Sequence, residues 1–202
     1  SYKDKIGFKF TGSSLAGTDF QSVDAFEDSV RSRIIENSNR LAELGLGVPI
    51  HPSQIRIGRR EFSIEKIAGT ARVDFNIIKD LKLILNGGIN WASNLELTSV
   101  GAAQVDNWRY FYGQSQLFYK SLYMQTFINS SNSGNTFLLR DGKNLIDESR
   151  LIVYQVQNTT SLFNRQKFTY GFDALWTRPI TENTINGLNE DDDDINESGF
   201  YL

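Results

Sequence analysis

The chain has 202 residues, 40% of them apolar and 22% charged, with no Cys and a net charge of -3. The lack of Cys excludes disulfide scaffolds and thiolate metal sites, and the mild acidity argues against a nucleic-acid binder, which carries a basic stripe. Polar beside the roughly 45–50% apolar average of soluble domains, the chain still holds 14 Phe, 8 Tyr and 3 Trp, too many aromatics for disorder.

No apolar run approaches the roughly 18 residues of a membrane helix. That leaves membrane strands open, because a barrel strand is apolar only at alternate positions. The sequence starts at Ser1 without Met or a signal segment, and Gly199-Phe200-Tyr201-Leu202 reads as the start of a strand. A piece of a longer protein is therefore the expectation.

Near the start, Ile6, Phe8 and Phe10 oppose Lys9 and Thr11, which predicts a strand. The stretch from Ala16 to Arg60 follows as a long connection. Within it Val23, Phe26, Val30, Ile34, Leu41 and Leu44 recur at helical spacing. Ser22 or Asp24 is placed to cap the start, and Gly45 or Gly47 the end. The segment reads as a short amphipathic helix over a barrel mouth, or as a folded-back loop that seals a rim. His51, the single His, lies in the turn-like Pro49-Ile50-His51-Pro52 and reads as a loop residue.

Gly69, Ala71, Val73 and Phe75 then oppose Thr70, Arg72 and Asp74. After the tight link Ile77-Ile78-Lys79-Asp80, the clearest strand begins. Leu81, Leu83, Leu85, Gly87, Ile89 and Trp91 share one parity, while Lys82, Asn86, Gly88 and Asn90 share the other. A polar connection is predicted over 94–107. Trp108 to Tyr119 and Leu122 to Asn129 are strand-like, joined by Lys120-Ser121. Phe111, Leu117 and Tyr119 fall on the apolar side, and Tyr110, Tyr112, Gln114 and Gln116 on the polar side. A long stretch over 130–149 precedes Ile152, Tyr154 and Val156, which oppose Gln155 and Gln157. The link Phe163-Asn164-Arg165 leads to Phe168, Tyr170, Phe172, Ala174 and Trp176, which oppose Lys167, Thr169, Gly171 and Asp173. A last long loop covers 179–197.

Short and long connections thus alternate. In an up-and-down sheet this places every short turn at one end and every long loop at the other. Outer-membrane barrels have that asymmetry, whereas sandwiches have loops at both ends. Strands of about 10–13 residues, about 35–43 Å long at 3.3 Å each, exceed the usual 5–6 residues of soluble strands. Tilted by about 40°, they span an apolar band of about 25 Å. Trp91 and Trp176 fall on the apolar face at the long-loop ends, where an external aromatic girdle lies. The bland alternative is that each packs a soluble core.

No GxSxG, HExxH or GxxxxGK[ST] pattern occurs, and no spacing suggests a triad, so the chain reads as a non-enzyme without a cofactor. The acidic run Glu190, Asp191, Asp192, Asp193 and Asp194 is a weak calcium candidate, since clustered carboxylates suit a hard cation. The EF-hand spacing is missing, and a solvated external loop is the favoured reading.

The stretch Thr177-Arg178-Pro179 through Thr184-Ile185-Asn186-Gly187-Leu188-Asn189, the acidic run and Ile195-Asn196-Glu197 resembles a loop of TonB-dependent receptors of Bacteroidetes-like bacteria. Leu95-Glu96-Leu97-Thr98, Gly101-Ala102-Ala103-Gln104, Trp108-Arg109-Tyr110, Asn129-Ser130-Ser131 and Phe168-Thr169-Tyr170-Gly171 extend the similarity over residues 60–202. Leu188 departs from it, standing where the pattern has Arg. The resemblance implies an all-β, antiparallel up-and-down transmembrane β-barrel in the outer membrane of a Gram-negative bacterium. Residues 1–202 would be one partial barrel domain, about 7–8 strands of a wall of about 22. It further implies uptake of a scarce extracellular ligand, driven by the TonB complex acting on a plug domain that this chain lacks. Lipid, plug, TonB complex and a small ligand are the implied partners.

Inward residues near the external end, Asn90, Tyr110, Tyr112 and Asn129, are the ligand-contact candidates. Their alternative role is to line the lumen or brace the plug. A small outer-membrane barrel with a structural or adhesive role is a second reading, and requires closure between first and last strands. A soluble β-rich binding module is a third, and requires an apolar interior.

Overall fold

The computed structural model describes residues 5–163, 165–185 and 193–202. Nine strands form one antiparallel sheet: β1 (Ile6–Thr18), β2 (Ser63–Ile78), β3 (Leu81–Thr98), β4 (Gly101–Tyr119), β5 (Leu122–Asn132), β6 (Phe137–Leu138), β7 (Arg150–Leu162), β8 (Gln166–Arg178) and β9 (Ile195–Tyr201). The one α-helix of the described residues is α1 (Ala25–Glu43). The strand order is β1-β2-β3-β4-β5-β7-β8-β9, so chain neighbours are sheet neighbours, and β6 pairs with β4 alone. β1 and β9 each have one strand neighbour.

Register aligns the apolar parity of every strand on one face. Phe8 pairs with Val73, Val73 with Leu85, and Leu85 with Ser115. Farther along, Ile89 pairs with Phe111, Ile128 with Ile152, Ile152 with Trp176, and Phe172 with Phe200. The opposite face collects Arg72, Asn86, Gln114, Gln125 and Gln155 in the alternate positions. A one-residue slip in any pair would interchange the faces, so the sorting is a property of the whole sheet.

Both faces are partly open: Val73, Leu83, Leu117, Met124, Val156 and Phe172 of the apolar face are half-buried, and its most exposed side chains lie on the edge strands β1 and β9. The apolar face leaves Phe8 64%, Phe10 70%, Ile89 51%, Phe111 50% and Phe200 86% exposed. The polar face is half-buried along its amide rows, with Ile84 at 6%, and exposed at Lys66, Arg72, Asn90, Glu96 and Tyr110. Its amides bond one another: Asn86 donates to Gln114 (2.6 Å), and Gln114 to Gln125 (3.0 Å). Gln116 donates to Gln125 (3.1 Å) and to the Tyr123 hydroxyl (3.0 Å). Towards the short-turn end, Asp74 accepts from Arg72 (2.8 Å) and Lys82 (3.1 Å).

Two-residue turns at Lys79-Asp80 and Lys120-Ser121 sit at one end of the sheet, but a third, Ser99-Val100, joins β3 to β4 at the other end, so the expected strict alternation of short and long connections does not hold. Asp80 and Lys120 take positive φ values of 67° and 52°. The Lys120 N–H donates to the Asp80 carbonyl (3.1 Å), which ties the two turns together. The fully buried groups lie at the other end, beneath the long loops. Leu139 and Ala103 are 0% exposed, and Val105 and Leu145 are 2%. β6 brings Leu139 against β4, where its N–H donates to the Ala102 carbonyl (2.9 Å) and its carbonyl accepts from Gly58 (2.9 Å).

Several predicted boundaries are corrected. The polar connection expected over 94–107 is strand: β3 runs on to Thr98 and β4 starts at Gly101. The reason is a bulge. Ala92 pairs with Trp108, but Asn94 pairs with Val105, so Asp106 and Asn107 of β4 together oppose Ser93 and the parity of β4 changes there. Such a break hides the start of β4 from a reading that expects unbroken alternation, while β3 alternates on through Leu95 and Leu97. β1 similarly reaches Thr18 rather than stopping at Ala16, and β5 reaches Asn132.

α1 forms where helical spacing predicts it. Asp24 caps it, accepting from the N–H groups of Phe26 (2.9 Å) and Glu27 (3.2 Å). Glu27 and Asp28 in the first turn and Arg40 in the last suit the helix dipole. Gly45 ends it at φ 69°, donating to the Ala42 carbonyl (2.9 Å). The helix packs on its own return segment. Arg31 donates to the Pro52 carbonyl (2.9 Å), and the Ser38 hydroxyl accepts from the Ile50 N–H (2.7 Å). Phe26, Leu41 and Leu44 of its apolar stripe remain 53%, 46% and 65% exposed.

Candidate functional site

All four predicted contact residues lie on the polar face at the long-loop end. Asn90 is the cross-strand partner of Tyr110, and Tyr112 that of Asn129. Asn129 donates its amide N–H to the Tyr110 hydroxyl, joining the two pairs across β4 and β5. Their surroundings divide them into two roles.

Tyr112 and Asn129 form a brace. Tyr112 lies over its partner Gly88, where an added Cβ would come within 2.6 Å of the ring and 2.9 Å of the Gly69 carbonyl. Only glycine leaves room for the ring there. Tyr112 also stacks on Phe127, with centroids 6.5 Å apart. The Asn129 amide holds Tyr110, while its own carbonyl oxygen is buried without a partner.

Asn90 and Tyr110 open on a cleft of about 390 Å³ with Lys66, Glu96, Thr98 and Trp108 along its walls. Ala92, Leu97 and Val105 complete the lining. The indole N–H of Trp108 donates to the Ser131 hydroxyl (2.9 Å). Both aromatic rings are thus held by their polar tips. Among the described residues, Asn90, Lys66 and Glu96 make no side-chain hydrogen bond or ion pair. They are exposed groups whose bonding capacity is unspent. Glu96 also borders a larger hollow of about 560 Å³, which Asp19, Phe20, Arg60 and Leu139 help to line.

Sequence reasoning missed Lys66, Glu96 and Trp108. Glu96 fell in a segment read as loop. The signal was present, since Asn94, Glu96 and Thr98 alternate with Leu95 and Leu97. Lys66 lies opposite Ala92, and Ala92 opposite Trp108, so register alone brings these three together.

Beyond the cleft, burial concentrates charge once. Glu27 is 4% exposed and meets Arg60 at 2.5 Å. Burial pushes the Glu27 carboxyl above its ordinary value, against the opposing pull of Arg60.

The calcium candidates Glu190, Asp191 and Asp192 lie outside the described residues. Of the other two, Asp194 pairs with Arg178 (3.0 Å), so its carboxylate already faces a cation of the chain. Among the described residues no three His, Asp or Glu side chains converge as a metal site. His51 caps the short 3-10 turn Pro52–Gln54, its Nδ1 bonded to the Ser53 hydroxyl (2.7 Å).

No protein-family model matches the chain, and neither the curated proteins nor the solved structures give a significant match to it.

Proposed function

We propose that this chain is part of the wall of an outer-membrane β-barrel of the TonB-dependent receptor kind, taking up a small extracellular ligand. The observation that carries this reading is the sorting of the sheet's two faces. Apolar side chains collect on one face, many of them exposed or half-exposed, while amides bond one another across the other face. A soluble monomer rarely exposes an apolar patch beyond a few hundred Å². Lipid gives such a face a favourable solvent, and a wet lumen suits the amides.

Three further features support it. β2, β3 and β4 have 16, 18 and 19 residues, longer than an apolar band of about 25 Å demands. Surplus strand at the long-loop end would project outside the bilayer. Trp91 and Trp176 sit on the apolar face near that end, 43% and 36% exposed, as girdle residues would. The sheet edges at β1 and β9 are where further strands of the barrel would pair. The choice of a transport receptor over an adhesive barrel rests on the sequence resemblance, the acidic loop above all.

Membrane fractionation of cells producing the complete protein, with capture by the periplasmic domain of TonB, tests this reading. Outer-membrane location with capture is expected. Outer-membrane location without capture would leave a barrel and remove the transport class. A soluble product would remove both.

A further inference from the structure

We infer that the cleft between Lys66, Asn90, Glu96, Trp108 and Tyr110 binds a zwitterion, a short peptide with free ends, its carboxylate on Lys66 and its ammonium on Glu96. The inference rests on the proposed function, in which this end of the polar face meets the external medium. It goes further by naming the ligand chemistry.

The unspent groups carry the inference. Lys66 and Glu96 are opposite charges on one cleft, and neither has an ion-pair partner among the described residues. Had they served only to stabilise the sheet, pairing with neighbours would be the expected use, as Arg72, Asp74 and Lys82 demonstrate. Asn90 supplies both a donor and an acceptor, which suits a peptide group. Trp108 and Tyr110 offer aromatic surface for an apolar side chain, with their polar tips already engaged by Ser131 and Asn129. Ala92 and Val105 give an apolar lining between them.

The same groups disfavour other ligands. A neutral oligosaccharide can hydrogen-bond both groups through its hydroxyls but neutralises neither charge, whereas a zwitterion supplies each with its counter-charge as well as a hydrogen bond. A simple anion would meet Glu96, and a simple cation Lys66. A volume of about 390 Å³ lies at the small end of ligand pockets, which span about 300–1,000 Å³. That suits two or three residues rather than a folded partner.

The test titrates the complete protein, in outer-membrane vesicles, with radiolabelled Gly-Phe, its N-acetyl form and its C-terminal amide. Binding of the free dipeptide is expected, weakened about tenfold by either block, which is the loss of one charge-assisted contact. Lys66→Met should erase the preference for the free carboxylate and keep that for the free amine. Glu96→Gln should do the reverse. Equal binding of the three peptides, or binding of none, overturns the inference. Should a variant fail to assemble, the three peptides on the unaltered protein still decide. Maltotriose binding in place of the dipeptide overturns the zwitterion and leaves the transport reading standing. Recovery of the protein in the soluble fraction removes the transport reading by itself, whatever the cleft binds.

Discussion

Tyr201 lies directly over its cross-strand partner Gly171, and its hydroxyl donates to Gln157 (3.2 Å). A Cβ at position 171 would run into the Tyr201 hydroxyl and the Val156 carbonyl. The same arrangement recurs at Gly88 and Tyr112. On the polar face a tyrosine thus lies across the sheet where glycine permits it, and its ring covers backbone that glycine leaves bare.

Gly171→Ala is therefore expected to destabilise the complete protein by about 1–3 kcal/mol, the usual scale of overpacking. Tyr201→Phe, which only deletes a hydrogen bond, should cost about 0.5–1.5 kcal/mol. Urea midpoints of the membrane-assembled protein, read by the mobility of unheated samples, give both values. Adding Tyr201→Ser to Gly171→Ala should restore only part of the loss, because the Val156 carbonyl still obstructs the methyl group.

Ile89 and Asn90 are neighbours in β3 that face opposite ways. If lipid covers the Ile89 face, Ile89→Arg should cost about 2–4 kcal/mol at the midplane, falling to about 0–1 near the rim. Asn90→Arg should assemble normally in a wet lumen. Quantifying folded protein in purified outer membranes separates the two. Equal damage from both would contradict the assignment of faces.

The facing of the strands was legible because each strand advertises it. Leu83 to Trp91 and Phe168 to Trp176 alternate cleanly, and one glance at parity predicts the pairing that follows. The helix was legible for the same reason, with Asp24 and Gly45 marking its ends. Most of what escaped notice depended on irregularity or on distant pairing. The bulge at Asp106-Asn107, opposite Ser93, reversed parity within β4 and concealed its start, whereas the extension of β3 was readable in Leu95 and Leu97 and was passed over. β6 has two residues, too few for any period. Lys66 and Glu96 share a cleft through register across β2, β3 and β4, which local spacing does not encode. Nothing in the helix sequence marked Glu27, a first-turn acid, as buried beneath Arg60.

That buried pair makes α1 sensitive to substitution and to pH. Arg60→Gln leaves a desolvated carboxylate uncompensated, at a local cost of about 3 kcal/mol. Glu27→Gln removes the buried carboxylate and leaves Arg60, the more exposed partner at 15%, to be solvated, so it should cost less. Because the Glu27 value is raised in the folded loop, the folded state holds its proton more tightly than the unfolded one. Its contribution is full below the ordinary carboxylate value and is lost as pH rises through the raised value. Protease nicking of the segment should therefore increase across that window. The increase should be steeper in Arg60→Gln and absent in Glu27→Gln.

Arg178 joins the end of β8 to the start of β9, bonding Asn196 (2.6 Å) and pairing with Asp194. Both partners of the ion pair are about one-third exposed, so its contribution is small, about 0–1 kcal/mol. Arg178→Ala should barely move the urea midpoint. It should accelerate cleavage of the following acidic loop by an added protease, and salt should narrow that difference.

The central claim is that one face of this sheet meets lipid and the other water. Its most direct measurement is spin-label accessibility along β3 and β4 of the complete protein in lipid bilayers. This segment contains no Cys, so single Cys substitutions from Leu83 to Trp91 and from Arg109 to Leu117 report their own positions here. Oxygen accessibility should peak at the odd-numbered residues of both strands, and accessibility to a water-soluble nickel complex at the even-numbered ones. Water access to both parities, or odd-numbered sites closed to both reagents as in a packed soluble core, would contradict the claim.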